Sequence, residues 1–128
     1  MPKILIIDDD KDFQDITRLV LENNGFTVVS AYGPEEGLRI VQSEKPDLLI
    51  LDVLMPDNYE GFAVARNIRE ELNLRELPII LLTAVHGEKK VPYRFAPHEE
   101  YLPVDYFFDK PVQPEVLVGK IKELLNMQ

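Results

Sequence analysis

Four polar positions in this chain each follow closely on a short apolar run. Asp8 and Asp9 come after Ile4–Ile7, Asp52 after Leu48–Leu51, Thr83 after Ile79–Leu82, and Lys110 after Tyr106–Phe108. Were the four runs parallel strands of one sheet, their ends would open on a single edge. That edge would carry three carboxylates, a hydroxyl and an ammonium. Such a set suits a divalent cation held beside a phosphoryl group.

The segments between these runs repeat one grammar of strand, polar turn and amphipathic helix. Phe13, Ile16, Val20 and Leu21 recur at helical spacing, and Asn24-Gly25 supplies a stop. Phe26–Val29 reads as the second strand. Pro34 suits the first turn of a helix carrying Leu38, Ile40 and Val41, which ends before Pro46. Phe62, Ala65, Ile68 and Leu72 stripe a third helix. Pro114 opens the last, with Val116, Leu117, Ile121, Leu124 and Leu125 on its buried side. Alternation of this kind implies an α/β fold, a doubly wound parallel sheet with right-handed crossovers and helices on both faces. Near-continuous Ile, Leu and Val in the strands fits burial on both sides.

One segment departs from the grammar. Between Val85 and Val104 stand Pro92, Pro97 and Pro103. Each proline costs a helix interior about 3 kcal/mol. The fourth helix region is therefore expected to be irregular or shortened.

Length and composition narrow the function. The 128 residues allow one domain, expected to run 1–128. No apolar run approaches the length of a membrane span, and Met1-Pro2-Lys3 leads straight into a strand with no signal-peptide layout. The absence of cysteine excludes disulfides and thiolate metal sites. A cytoplasmic location is the expectation. The net charge of −9 argues against direct contact with nucleic acid, where affinity rests on Lys and Arg meeting phosphates.

The four motifs together resemble the receiver domain of bacterial two-component response regulators, the module typified by the chemotaxis response regulator. The resemblance covers nearly the whole chain. It rests on Lys3–Asp9 with its acidic pair, Leu51–Pro56 around a central aspartate, Ile80–Ala84 ending in Thr-Ala, and Asp109-Lys110-Pro111. It implies a five-stranded sheet in the order 2-1-3-4-5. It also implies that Asp52 is the phosphoacceptor, and that Asp8 and Asp9 hold Mg2+ with Asp52 and the backbone carbonyl of Leu54. Thr83 would hydrogen-bond a phosphoryl oxygen, and Lys110 would pair with the acyl phosphate. Thr83 and an aromatic on the last strand, here Phe107, would form the switch. The implied partners are a sensor histidine kinase or phosphotransfer protein and an output protein. Only Asn126-Met127-Gln128 follows the last helix, which reads as a stand-alone receiver.

The chemistry explains the residue types. Two unit charges 4 Å apart repel by roughly 4 kcal/mol at an effective dielectric of 20, so clustered carboxylates call for a cation. Magnesium suits an oxygen set of carboxylates, a carbonyl, waters and a phosphoryl group. Zinc would want cysteine or histidine; the chain has no cysteine, and no histidine stands near the acidic motif. His86 and His98 lack a second ligand at metal spacing. Asp52 is a carboxylate nucleophile of the type that forms aspartyl phosphates. In the order 2-1-3-4-5, Lys110 stands two strand spacings from Asp52, roughly 10 Å, a gap that suits a long stem with a charged tip.

Read one at a time, the same residues have plainer meanings. Asp8–Asp10 could be a solvated turn with Asp10 capping the first helix, Thr83 a strand terminator, and Lys110 a surface charge. Their arrival at one sheet edge is what favours the switch. Two other classes compete with it. A receiver-like interaction module working without phosphorylation would be suggested by the unusual fourth-helix region, but the intact set of motifs argues against it. A flavin-binding protein of the same topology would want a glycine- and hydroxyl-rich loop after the first strand. This chain has Asp8-Asp9-Asp10-Lys11-Asp12 there, which repels phosphate.

Three features depart from the family pattern. Phe107 lacks the hydroxyl of the usual tyrosine, the stretch Asp57–Gly61 is one residue longer than the common form, and the span from Thr83 to Lys110 is several residues longer. By alignment, the apolar Leu54 and Val85 flank the phosphoryl site where water must approach. They offer nothing to orient a nucleophilic water, so self-dephosphorylation should be slow. Following the phosphorylated protein over time checks this; decay faster than in receivers with polar residues at both positions would contradict it.

Overall fold

The computed structural model describes residues 1–52, 64–83, 104–109 and 112–127. Five strands form one parallel sheet: β1 Lys3–Ile7, β2 Thr27–Ala31, β3 Leu48–Asp52, β4 Ile79–Thr83 and β5 Tyr106–Asp109, in the order β2-β1-β3-β4-β5. Among the described residues, α-helices that connect or follow them include α1 Lys11–Asn23, α2 Pro34–Glu44 and α3 Pro114–Leu124. The chain steps from β1 to β2 and then back past β1 to β3. With right-handed crossovers this reversal puts α1 and α2 on opposite faces.

Alternation along each strand feeds two cores. Ile4, Ile6, Ile50 and Leu82 pack with Leu21 of α1 and with Leu117 and Ile121 of α3. Leu5, Ile7, Leu49 and Leu81 face the other way, against Val41 of α2 and against Ile68. β1 and β3, buried on both sides, have no polar residue before Asp52 except Lys3 at the entry.

Local sequence explains most element ends. Asp10 caps α1 by accepting from the Phe13 N–H at 3.1 Å. Gly25 takes φ +91 after the helix, a conformation that a side chain would strain. Pro34 and Pro114 stand in the first turns of α2 and α3.

Several details differ from the sequence expectation. The second strand runs Thr27–Ala31 rather than Phe26–Val29, because pairing with β1 sets its bounds and Phe26 packs in the core before it. On α1, Ile16 is 62% exposed while Gln14 and Thr17 are buried. On α3, Val116 faces outward and Val118 is buried in its place. The third helical stretch is α-helical over 64–66 and continues as a π-helix, Asn67–Glu71. Its wider turn is closed by the Leu72 N–H donating to the Asn67 carbonyl. The proline-rich span from Val85 to Pro103, with His86 and His98, lies outside the described residues.

The end of the sheet remote from the acidic residues is fastened by one arginine. Arg69 donates to the carbonyls of Leu74 and Leu77 and pairs with Asp105 at 3.0 Å. Asp105 accepts in turn from the Ile79 N–H at 2.8 Å, which ties the entries of β4 and β5 together. Farther along, Lys120 of α3 sits 4.0 Å over the Tyr106 ring. Among the described residues no helix is long and apolar enough to cross a membrane.

α2 approaches β1 so closely that only glycine fits at position 37. A Cβ there would lie 2.8 Å from Ile7 Cγ1 and nearer still to its Cδ1. Ile7 is fully buried, so any shift of its side chain must be taken up by the close-packed core around it. Helix propensity alone would favour Gly37→Ala by up to about 1 kcal/mol, whereas overpacking costs about 1–3 kcal/mol. The overlap should win, so urea unfolding of Gly37→Ala should show a lowered midpoint; an equal or higher midpoint would contradict the packing.

Candidate cation and phosphoryl site

Register brings the acidic residues together. Ile7 pairs with Leu51, so Asp8, one residue past the end of β1, comes level with Asp52, the last residue of β3. The crevice between β1 and β3 is also where strand order reverses, the usual place for a ligand in an open α/β sheet. Carboxylate oxygens of Asp8, Asp9 and Asp52 all lie within 4.8 Å of one another. Asp8 is fully buried, Asp52 is 5% exposed, and Asp9 faces solvent. Two carboxylates shielded from water and a third at the rim leave an opening for an ion to enter.

The turn holding the acid pair is tied down by several bonds. The Asp8 N–H donates to the Ala31 carbonyl at 3.0 Å, extending the β1–β2 ladder by one rung. Asp8 Oδ1 accepts from the Asp10 N–H at 2.9 Å. α1 begins directly afterwards, and the positive end of its dipole faces the carboxylates. Gln14, reaching back from α1, places its amide nitrogen within 3.1 Å of the carbonyls of Ile6, Asp8 and Ala31, which share its two N–H donors. Reading the sequence for acids, hydroxyls and lysines missed this glutamine. Its signal was present all the same: Asp10, Gln14, Thr17 and Leu21 share one helical face.

The other expected site residues are described less fully. Thr83 closes β4, and β3–β4 pairing sets Asp52 opposite Leu82, one residue earlier. Its backbone thus reaches the same edge one strand away. Phe107 pairs with Leu81 within the sheet. The side chains of Thr83 and Phe107, and the whole of Leu54 and Lys110, lie outside the described residues.

The donor set fits a small divalent cation. Three converging carboxylates are hard oxygen ligands, and their mutual repulsion is relieved when an ion sits between them. Asp8, Asp9 and Asp52 are the residues that would hold it.

Comparison with known proteins agrees with this geometry. A sequence profile described as the response regulator receiver domain matches residues 4–122. The transcriptional regulatory protein AfsQ1 of Streptomyces coelicolor is 36% identical over 98% of this chain and 52% of its own length. This chain thus spans about half the length of the curated relatives it matches. A putative response regulator from Chloroflexus aurantiacus superposes with a TM-score of 0.83 at 31% identity, covering 98% of both chains. Response regulator protein TrrA from Thermotoga maritima, solved in complex with Mg(2+)-BeF, gives a TM-score of 0.79 at 29% identity over 97% of this chain and 99% of its own.

Removing one carboxylate should weaken the site without disturbing the fold, since Asp9 is exposed. Calorimetric titration with Mg2+ should show affinity falling about tenfold or more in Asp9→Asn, because affinity follows the charge of the ligand set. Equal affinity in both proteins would count against the assignment. Taken together, the profile match and the shared architecture place this chain in the response regulator receiver domain family.

Proposed function

We propose that this domain is a phosphorylation-dependent switch that accepts a phosphoryl group on Asp52 from the phosphohistidine of a sensor kinase or phosphotransfer protein. The observation that carries the reading is the convergence of the Asp8, Asp9 and Asp52 oxygens within 4.8 Å at the β1–β3 crevice. An Asp52 oxygen attacks phosphorus in line, the P–O bond forms as the P–N bond breaks, and the freed imidazole leaves. Asp8 and Asp9 would hold Mg2+ together with Asp52 and, as the resemblance implies, the Leu54 carbonyl. The cation supplies charge neutralisation on the transferring group. Lys110 balances the remaining negative charge, and Thr83 donates its hydroxyl to a phosphoryl oxygen. Thr83 moving toward the phosphoryl group, with Phe107 filling the space behind it, carries the change to an output protein.

Such a donor must bring its imidazole alongside Asp52, and the surface next to the crevice supports docking of a helix. An apolar groove between α1 and α3, lined by Phe13, Ile16, Val20, Val112 and Leu117, runs out to Asp10 beside the acid pair. Ile16, which lines it, is exposed, as is Leu19 elsewhere on α1. The acidic balance of the chain argues against nucleic acid as the direct partner of this domain.

The decisive test is incubation with Mg2+ and a small acyl-phosphate donor, read by intact mass. The wild type should gain one phosphoryl group, and Asp52→Asn should gain none. Failure of the wild type, or equal labelling of the variant, would sink the reading.

A further inference from the structure

We propose that Gln14 is the positioning residue of the cation site, fixing the peptide that aims the Asp8–Asp9 pair. Its side chain is 1% exposed, and the amide nitrogen lies 3.1 Å from Ile6 O, 3.0 Å from Asp8 O and 2.8 Å from Ala31 O. The Asp8 carbonyl is the oxygen of the peptide linking Asp8 to Asp9. That peptide is planar, so holding its oxygen in place sets the plane from which Asp9 departs. The residue on its other side is anchored too, through the Asp8 N–H on Ala31 O. Ala31 O accepts from both groups, so Gln14 and the Asp8 backbone share one anchor on β2.

The orientation of the amide follows from its surroundings. Three carbonyl oxygens around one atom require a donor there, which assigns the nitrogen and leaves Oε1 to the other side. Oε1 is buried and, among the described residues, has no hydrogen-bond partner. An apolar side chain of similar size would avoid that burial but would take this donor away from the Asp8 carbonyl. The arrangement is poor as packing and good as a clamp on strand ends that carry ligands. Outer residues that orient ligand-bearing groups commonly alter metal affinity by about 10–100-fold when replaced. Gln14 acts in this way through backbone rather than through a ligand side chain. It touches neither the cation nor the transferred group.

This inference rests on reading the three carboxylates as a cation site, and its test separates the two. In Gln14→Met, calorimetric titration should show Mg2+ affinity at least about tenfold weaker than wild type, with the fold intact by circular dichroism. Leu21→Ala, a core change in the same helix, should cost stability while leaving affinity within about twofold. Should Gln14→Met fail to fold, Gln14→Asn keeps an amide but falls short of the three carbonyls, and should weaken binding in the same way. In metal-free protein, the Asp9 and Asp10 amide resonances of the Gln14 variant should broaden or lose exchange protection while those of β3 and β4 hold. Unchanged affinity and unchanged Asp9 amides would overturn the proposal, as would an equal loss in Leu21→Ala. Absence of Asp9-dependent Mg2+ binding in the wild type would instead remove the cation site, and disorder of the Asp9 amide in Gln14→Met would still uphold the clamp.

Discussion

Like charges are held together here by strands that have nowhere else to go, and the behaviour of the site follows from that constraint. Asp8 and Asp52 end two neighbouring strands whose side chains, Ile4–Ile7 and Leu48–Leu51, are fully buried on both faces of the sheet. Each such side chain contributes roughly 1.5–3 kcal/mol on burial. Repulsion between two nearby carboxylates is on the order of 4 kcal/mol at an effective dielectric of 20. A few buried aliphatic residues outweigh it, so the acids stay together and the repulsion is available to be relieved by a cation. Register is as important as burial. A slip of one residue between β1 and β3 would exchange the two cores and carry Asp8 out of line with Asp52.

The two ends of the sheet are built for different purposes. At the entry of β4 and β5, Arg69 and Asp105 satisfy carbonyls and an N–H that the end of the third helical stretch and the strand start would otherwise leave open. That end is closed by hydrogen bonds among its own residues. At the opposite end the strands finish in carboxylates whose best partner is an ion, with a phosphoryl group proposed beside it. A sheet fastened at one end and left open at the other can respond to a ligand at the open edge while keeping its order and register.

Gln14 shows how the α1–β1 junction serves that edge. A helix packed over strand ends brings its inward side chains against backbone carbonyls there. The amide nitrogen of Gln14 sits within 3.1 Å of three of them, from residues 6, 8 and 31. The turn carrying the acids is thereby joined to β2 on one side while β3 flanks it on the other. The same helix offers Ile16 and Leu19 to the outside. One element therefore ties down the acid-bearing turn from within and presents apolar side chains to the outside.

Much of this was legible in the chain itself. Apolar runs bounded by Asp, Thr and Lys marked the strand ends, Asp10 announced its cap, and Pro34 and Pro114 marked where helices begin, because these signals are local. The order 2-1-3-4-5 came from the family resemblance and agrees with the pairing found. Other features depended on contacts between distant residues. Periodicity put Ile16 of α1 and Val116 of α3 on the inward sides; the position of each helix over the sheet buries Gln14 and Val118 instead. The bounds of β2 came from pairing with β1, and the glycine at position 37 from the approach of Ile7. The sequence by itself determined the fold class and which residues could do chemistry, since strand burial and strand-end polarity are written in adjacent residues. Only the tertiary structure decided that Asp8, Asp9 and Asp52 share one crevice and that a buried amide holds their turn, since both arise from groups that meet across separate strands.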